Sequence, residues 1–109
     1  MKTLSVKYPW ADLIARGKKT IEVRTWKTDY RGPLLIASSV SPKWEHAGKA
    51  VCVVDLVDVR PIKASDLDAA CCDAYEGDYA WVLKNARECE HTPIKGKLHL
   101  YETENVEVL

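Results

Sequence analysis

From Lys19 onward apolar and polar side chains alternate with a period of two. Ile21 and Val23 share one side and Thr20, Glu22, Arg24 and Trp26 the other, which predicts a strand with one covered face. Upstream, Trp10, Leu13 and Ile14 fall at i, i+3 and i+4, the apolar stripe of a short helix. Pro9 suits its first position and Gly17 the residue just past its last turn. A helix this short depends on tertiary packing. Leu4-Ser5-Val6 reads as an opening strand.

Leu34 to Ala37 and the longer run Ala50 to Arg60 are apolar on both faces, as in a closed sheet or a sandwich core. Asp55 and Asp58 interrupt the longer run. Carboxylates there are costly unless paired, so at least one is expected to meet a base such as Arg24. Arg31-Gly32-Pro33 marks a turn, residues 38–48 a loop carrying Trp44, and Pro61 the end of the long strand. Ser65-Asp66 can cap a helix over 66–75 that stops near Gly77. Tyr79 to Leu83 and Leu98 to Thr103 supply two more strands, joined by a polar loop with Pro93 and Gly96. Short strands, two helices and no βαβ alternation predict an α+β, mainly β fold: a small closed β-barrel of five to six strands with two peripheral helices. The first helix is expected to pack across the barrel mouth and form a cleft there.

Composition adds few constraints. A chain of 109 residues is expected to form a single domain, 1–109, burying about two-thirds of its unfolded surface without a metal or disulfide staple. The 47% hydrophobic and 29% charged fractions are those of a soluble globule. No apolar run approaches the ~20 residues of a membrane span, and the N-terminus lacks a signal peptide's apolar core. The expected location is the cytoplasm, with no membrane partner. Cys52, Cys71, Cys72 and Cys89 form no CxxC and are expected to be reduced and mostly buried. His46, His91 and His99 match no metal or triad pattern and read as surface or satisfied residues. No metal and no cofactor is expected.

The net charge is zero but unevenly spread. Residues 1–31 hold eight Lys/Arg against three Asp/Glu, and residues 55–90 hold four against nine. This pattern fits a basic rim that attracts a phosphate or a short nucleic acid, and equally two solvated faces of opposite sign. Long, non-specific nucleic-acid binding is disfavoured in a neutral protein.

Residues 8–26 concentrate the candidate chemistry. Lys19, on the side of Ile21 and Val23 at the strand's first position, would sit at the barrel rim, half in apolar surroundings. There it is either a base or nucleophile, or a lysine snorkelling to solvent. Glu22 and Arg24, two apart on one face, can pair with each other or grip a base's amine and a carbonyl or phosphate. Tyr8, Trp10 and Trp26 can stack on a base or pack in the core. Trp26 is the better stacking candidate, while Trp10 and Trp81 suit the core. Ser38 and Ser39 end a buried strand and can donate to a ligand or to the loop backbone.

These residues resemble the ASCH domain, a branch of the PUA-like β-barrel superfamily. The matching segments are Tyr-Pro-Trp-Ala (8–11), Gly-Lys-Lys-Thr-Ile-Glu-Val-Arg (17–24), Tyr-Arg-Gly-Pro-Leu-Leu-Ile (30–36), Val-Val-Asp-Leu-Val-Asp (53–58) and Tyr-Ala-Trp-Val-Leu-Lys-Asn-Ala-Arg (79–87). The Gly-x-Lys-x-x-Glu-x-Arg element is the specific part. The resemblance implies a barrel whose cleft takes RNA or a modified nucleoside or nucleotide, lined by Tyr8, Trp10, Lys19, Glu22, Arg24, Trp26 and Ser39. Some relatives are amidohydrolases acting on N4-acetylcytidine, and others are ribonucleases or non-catalytic RNA readers. Lys19 matches the lysine of the amidohydrolases, but Glu22 stands where they carry a threonine nucleophile, and a carboxylate is a poorer acyl acceptor. Lys19 and Glu22, the latter as base for a water, are the candidate catalytic pair if the chain is an enzyme. Asp73 and Glu76 are candidates for the second acid, and Ala37 stands where relatives often show a histidine. The expected function is therefore binding of RNA or a modified nucleoside. The alternatives are a hydrolase acting on a modified cytidine or on RNA, and a non-catalytic protein-interaction domain.

Overall fold

The runs that are apolar on both faces form the centre of a six-stranded sheet. The computed structural model describes residues 1–109. In chain order the elements are β1 (Lys2–Val6), α1 (Trp10–Ala15), β2 (Ile21–Arg24), β3 (Gly32–Ser38) and β4 (Ala50–Pro61). A 3-10 turn at Ala64–Asp66 then leads into α2 (Leu67–Ala70), followed by β5 (Tyr79–Glu88) and β6 (Leu100–Glu102). The strand order is β2-β5-β4-β3-β1-β6, antiparallel except for the β1–β3 pair. The sheet curls into a half-barrel whose free edges are β2 and β6.

Alternation along β3 and β4 divides the interior. Leu34, Ile36, Cys52, Val54 and Leu56 enter the main core with Leu4, Val6, Trp81 and Leu83. Leu35 and Val53 point the other way, to a smaller cluster with Ala50 and Cys89. α1 lays Ala11 and Ile14 into the main core, so packing holds this six-residue helix. Every buried side-chain nitrogen or oxygen has a hydrogen-bond partner. No helix is long and apolar enough to cross a membrane.

Several expectations need correction. The second helix is one turn, Leu67–Ala70, because Cys71 turns left-handed (φ 56°) and stops it. Ser65 and Asp66 do not cap it; the Asp66 carboxylate instead turns back to accept the Lys63 N–H at 2.8 Å and two bonds from Arg60 at 2.7 and 2.8 Å. β5 continues to Glu88, past the expected end at Leu83, since the long β4 pairs with it from Cys52 to Pro61 across two register shifts. Asp55 meets Arg87 at 2.9 Å and Asp58 lies 3.9 Å from Arg31, so neither pairs with Arg24. Only Cys52 and Cys89 are buried, and desolvation pushes their thiols up to about 12 and about 11.

The Asp66 clamp has a pH signature. The Arg60 hydrogen bond, assisted by the Lys63 N–H, lowers the carboxyl from 3.8 to about 2 against the opposing effect of desolvation. A depressed folded-state pKa stabilises the fold fully above the unfolded value, and the benefit fades as pH falls through the folded one. Because Arg60 remains partly solvated, the clamp contributes about 1–2 kcal/mol. Asp66→Asn should therefore lose about that much in urea unfolding at pH 7, with the gap closing between about pH 4 and pH 2. A gap constant across that range would show that the carboxylate is not the source.

Candidate functional site

The free edge at β2 is closed by side chains, and these line a cleft of about 850 Å³. Gly17 leaves α1 with φ +74°, and the N–H groups of Lys18 and Lys19 both donate to the Leu13 carbonyl, at 3.0 and 3.1 Å. This tight exit places Lys19 before the strand, which begins at Ile21. The two-residue alternation therefore does not reach it, and Lys19 meets Glu22 instead of sharing the side of Ile21 and Val23. Nor is it half-exposed at a rim, as only 1% of it is accessible. Its Nζ lies 3.5 Å from Glu22 Oε1 and 3.9 Å from Cys72 Sγ, and donates to the Ala70 carbonyl. The other Glu22 oxygen, Oε2, accepts from Arg24 Nε at 3.0 Å and Nη2 at 2.8 Å. Arg24 Nη2 also donates to the Ser5 carbonyl of β1 at 2.8 Å. One carboxylate thus joins two cations in a Lys19–Glu22–Arg24 chain of net charge +1, which ties β2 to β1 where no strand pairing does.

Trp26 stands beyond the end of β2. Its ring meets Trp81 and His99 edge-on at centroid distances of 4.8 Å each, and its carbonyl accepts the Trp81 indole N–H at 3.2 Å. Trp81 is wholly buried, whereas Trp26 is half-buried with the cleft before it. Trp10, Lys19, Glu22, Arg24, Trp26 and Ser39 all line this cleft. Tyr8 does not; it packs on Trp44 at 4.8 Å, with 37% of its surface exposed. Trp10 both lines the cleft and packs against the core. Ser39 donates its N–H to Val6 at 3.0 Å and has no hydrogen bond to its hydroxyl, whereas Ser38 Oγ accepts the Trp44 indole N–H at 2.8 Å. α1 contributes only Trp10, so the cleft is not built by a helix across the barrel mouth.

Asp73 lines the cleft and Glu76 does not. Sequence reasoning missed Cys72, which meets Lys19 at the cleft floor, and the segment Ile94 to His99, which supplies more of the lining. His99 is exposed, as expected, and also lines the cleft in ring contact with Trp26. Nothing local signals this, because its position follows from β6 pairing with β1. Lys7, Lys19, Arg24 and Lys97 line the cleft against Glu22 and Asp73, a surplus of two positive charges. No group of three His, Cys, Asp or Glu side chains is placed to hold a metal ion.

The family model for the ASCH domain matches residues 4–93. The chain belongs to the ASCH domain family. This is a PUA-like fold family associated with RNA binding. The crystal structure of ASCH from Zymomonas mobilis superposes with a TM-score of 0.75 at 14% identity, covering 94% of this chain and 87% of that one. A mutant form of the same protein gives 0.71 at 13% identity, covering 94% and 89%. At these identities the likeness shows the fold alone. Activating signal cointegrator 1 of Homo sapiens is 53% identical over 36 residues, and that of Mus musculus 50% over 36 residues. Each match covers 33% of this chain and 6% of the relative's length. The ASCH match ends at residue 93, so the Ile94–His99 wall lies outside it.

Proposed function

We propose that this ASCH domain is an RNA-binding module that seats one nucleobase, plain or modified, in the cleft beside Trp26. The observation that carries this is a half-buried indole facing the same space as a cationic surplus. A flat apolar ring with a negative phosphate is the ligand that satisfies both. Trp26 and Trp10, which both line the cleft, supply ring contact. Lys7, Arg24 and Lys97 supply charge for a phosphate or a base carbonyl, and the Ser39 hydroxyl supplies a hydrogen bond. Glu22 positions Lys19 and Arg24, since each of its carboxylate oxygens already faces a cation. A carboxylate held between two cations suits this positioning role better than general-base catalysis.

The hydrolase reading retains one observation in its favour: Lys19 Nζ, Glu22 and Cys72 meet at the cleft floor. Titration with cytidine, N4-acetylcytidine, uridine 5′-monophosphate and short RNAs, followed by indole fluorescence and by chromatography of products, separates the two. Saturable quenching without product is the expected result. Turnover of N4-acetylcytidine or cleavage of RNA would replace the binding module with an enzyme, and no binding across the panel would remove both.

A further inference from the structure

We propose that a second stretch of single-stranded RNA runs from the cleft along four rings, Tyr8, Trp44, His46 and His91. This rests on the nucleobase-cleft reading and extends it from a lone nucleoside to a strand of several nucleotides. Successive ring centroids are 4.8 Å (Tyr8–Trp44), 5.2 Å (Trp44–His46) and 3.9 Å (His46–His91) apart, the last pair stacked at 18°. The rings come from three separate segments: the turn before α1, the loop after β3 and the stretch after β5. Their chain neighbours reach the cleft, since Lys7 and Trp10 flank Tyr8, and Ser38, which accepts from Trp44, lines it too.

A bland reading makes these rings the glue of the 39–48 loop. The backbone of that loop already holds itself. Ala47 donates to Trp44 at 3.1 Å, Lys49 to His46 at 3.1 Å and Gly48 to Ser38 at 3.1 Å. Tyr8 is 37% exposed, His46 and His91 keep 22% and 28% of their side chains accessible, and Trp44 packs partly on the core, so the row still leaves aromatic surface to solvent. His91 Nδ1 faces the Ala50 carbonyl at 2.9 Å; a carbonyl only accepts, so that nitrogen carries the proton and the ring orientation is set. Glu88 lies 3.6 Å from the other His91 nitrogen and Glu45 lies 3.9 Å from His46. Lys7 and Lys43 adjoin Tyr8 and Trp44 in sequence, Lys49 lies three residues past His46, and none of the three pairs with a carboxylate. Partly accessible rings beside unpaired lysines are what single-strand binders offer to consecutive bases and phosphates, without base-specific hydrogen bonds.

The test compares uridine 5′-monophosphate with hexauridylate on the wild-type chain and on Tyr8→Ala/His46→Ala. Wild-type protein should bind the hexamer at least tenfold tighter than the monomer. The double variant should lose about tenfold for the hexamer while its monomer affinity changes less than twofold. In the wild-type chain, hexauridylate should shift the imidazole Cε1–H resonances of His46 and His91, and the monophosphate should leave them in place, a readout that needs no variant to fold. Equal affinity for the two ligands, an unaltered hexamer affinity in the folded variant, or unmoved imidazole resonances would overturn the proposal. Hexamer binding that the variant weakens, with no monomer binding at all, would keep the ring path and remove the cleft reading. Failure of both ligands to bind would remove both.

Discussion

Glu22→Gln should be the most destabilising conservative change in the cleft, costing about 3 kcal/mol and lowering the thermal midpoint by more than about 10 °C. The cause is Lys19, of which 1% is accessible. With the carboxylate gone its ammonium keeps only the Ala70 carbonyl and a distant Cys72 thiol. A buried charge stripped of its counter-ion carries most of its desolvation cost uncompensated, about 3–5 kcal/mol in comparable cases. The low end applies because Arg24, the other cation, is partly exposed and can rehydrate. Replacing both partners, as in Lys19→Met/Glu22→Gln, should recover most of the loss, because the one unpaired cation left, Arg24, is partly exposed. Thermal unfolding of the three chains followed by circular dichroism checks this. A single variant within about 1 kcal/mol of the parent would show that Lys19 is not held by this pair.

Trp26→Ala should cost the largest share of ligand affinity, about 1–3 kcal/mol, or roughly five- to 150-fold, for any nucleotide that binds. Trp26 presents its ring to the cleft while its carbonyl, not its side chain, holds the Trp81 indole. The ring can therefore be removed while the hydrogen bond to the core stays. Trp26→Phe should recover most of the affinity, since a phenyl ring still stacks, whereas Trp26→Leu should not. Titration by calorimetry distinguishes them, since indole fluorescence would itself change. Affinity that tracks side-chain volume, with Leu equal to Phe, would point to simple filling of space and against stacking.

The local elements were legible to differing depths. The two-faced apolar runs at 34–37 and 50–60 could only be central strands, and they are. The stripe Trp10, Leu13, Ile14 marked a helix because its spacing has one geometric solution. The helix expected over 66–75 ends after one turn, as Cys71 turns left-handed and Asp66, the expected cap, serves Arg60 and the Lys63 N–H instead. β5 ran longer than its apolar stretch suggested, since its polar half satisfies backbone bonds of β4 and needs no apolar face. Candidate residues followed the same rule. Glu22 and Arg24 share a face by strand alternation, which fixes direction within one element. Lys19 precedes the strand and Trp26 lies past its end, so tertiary contacts set both.

Periodicity and neighbours along the chain suffice for the strand-rich fold class, its buried central strands and the crowding of Lys19, Glu22, Arg24 and Trp26 at one corner. Tertiary structure alone decided that Lys19 is buried against Glu22, that Arg24 reaches across to Ser5, and that Cys72 and the 94–99 segment complete the cleft. It also stacked His46 on His91, forty-five positions apart. Such contacts are set by how the sheet curls and which edges stay unpaired, and no local pattern encodes that closure.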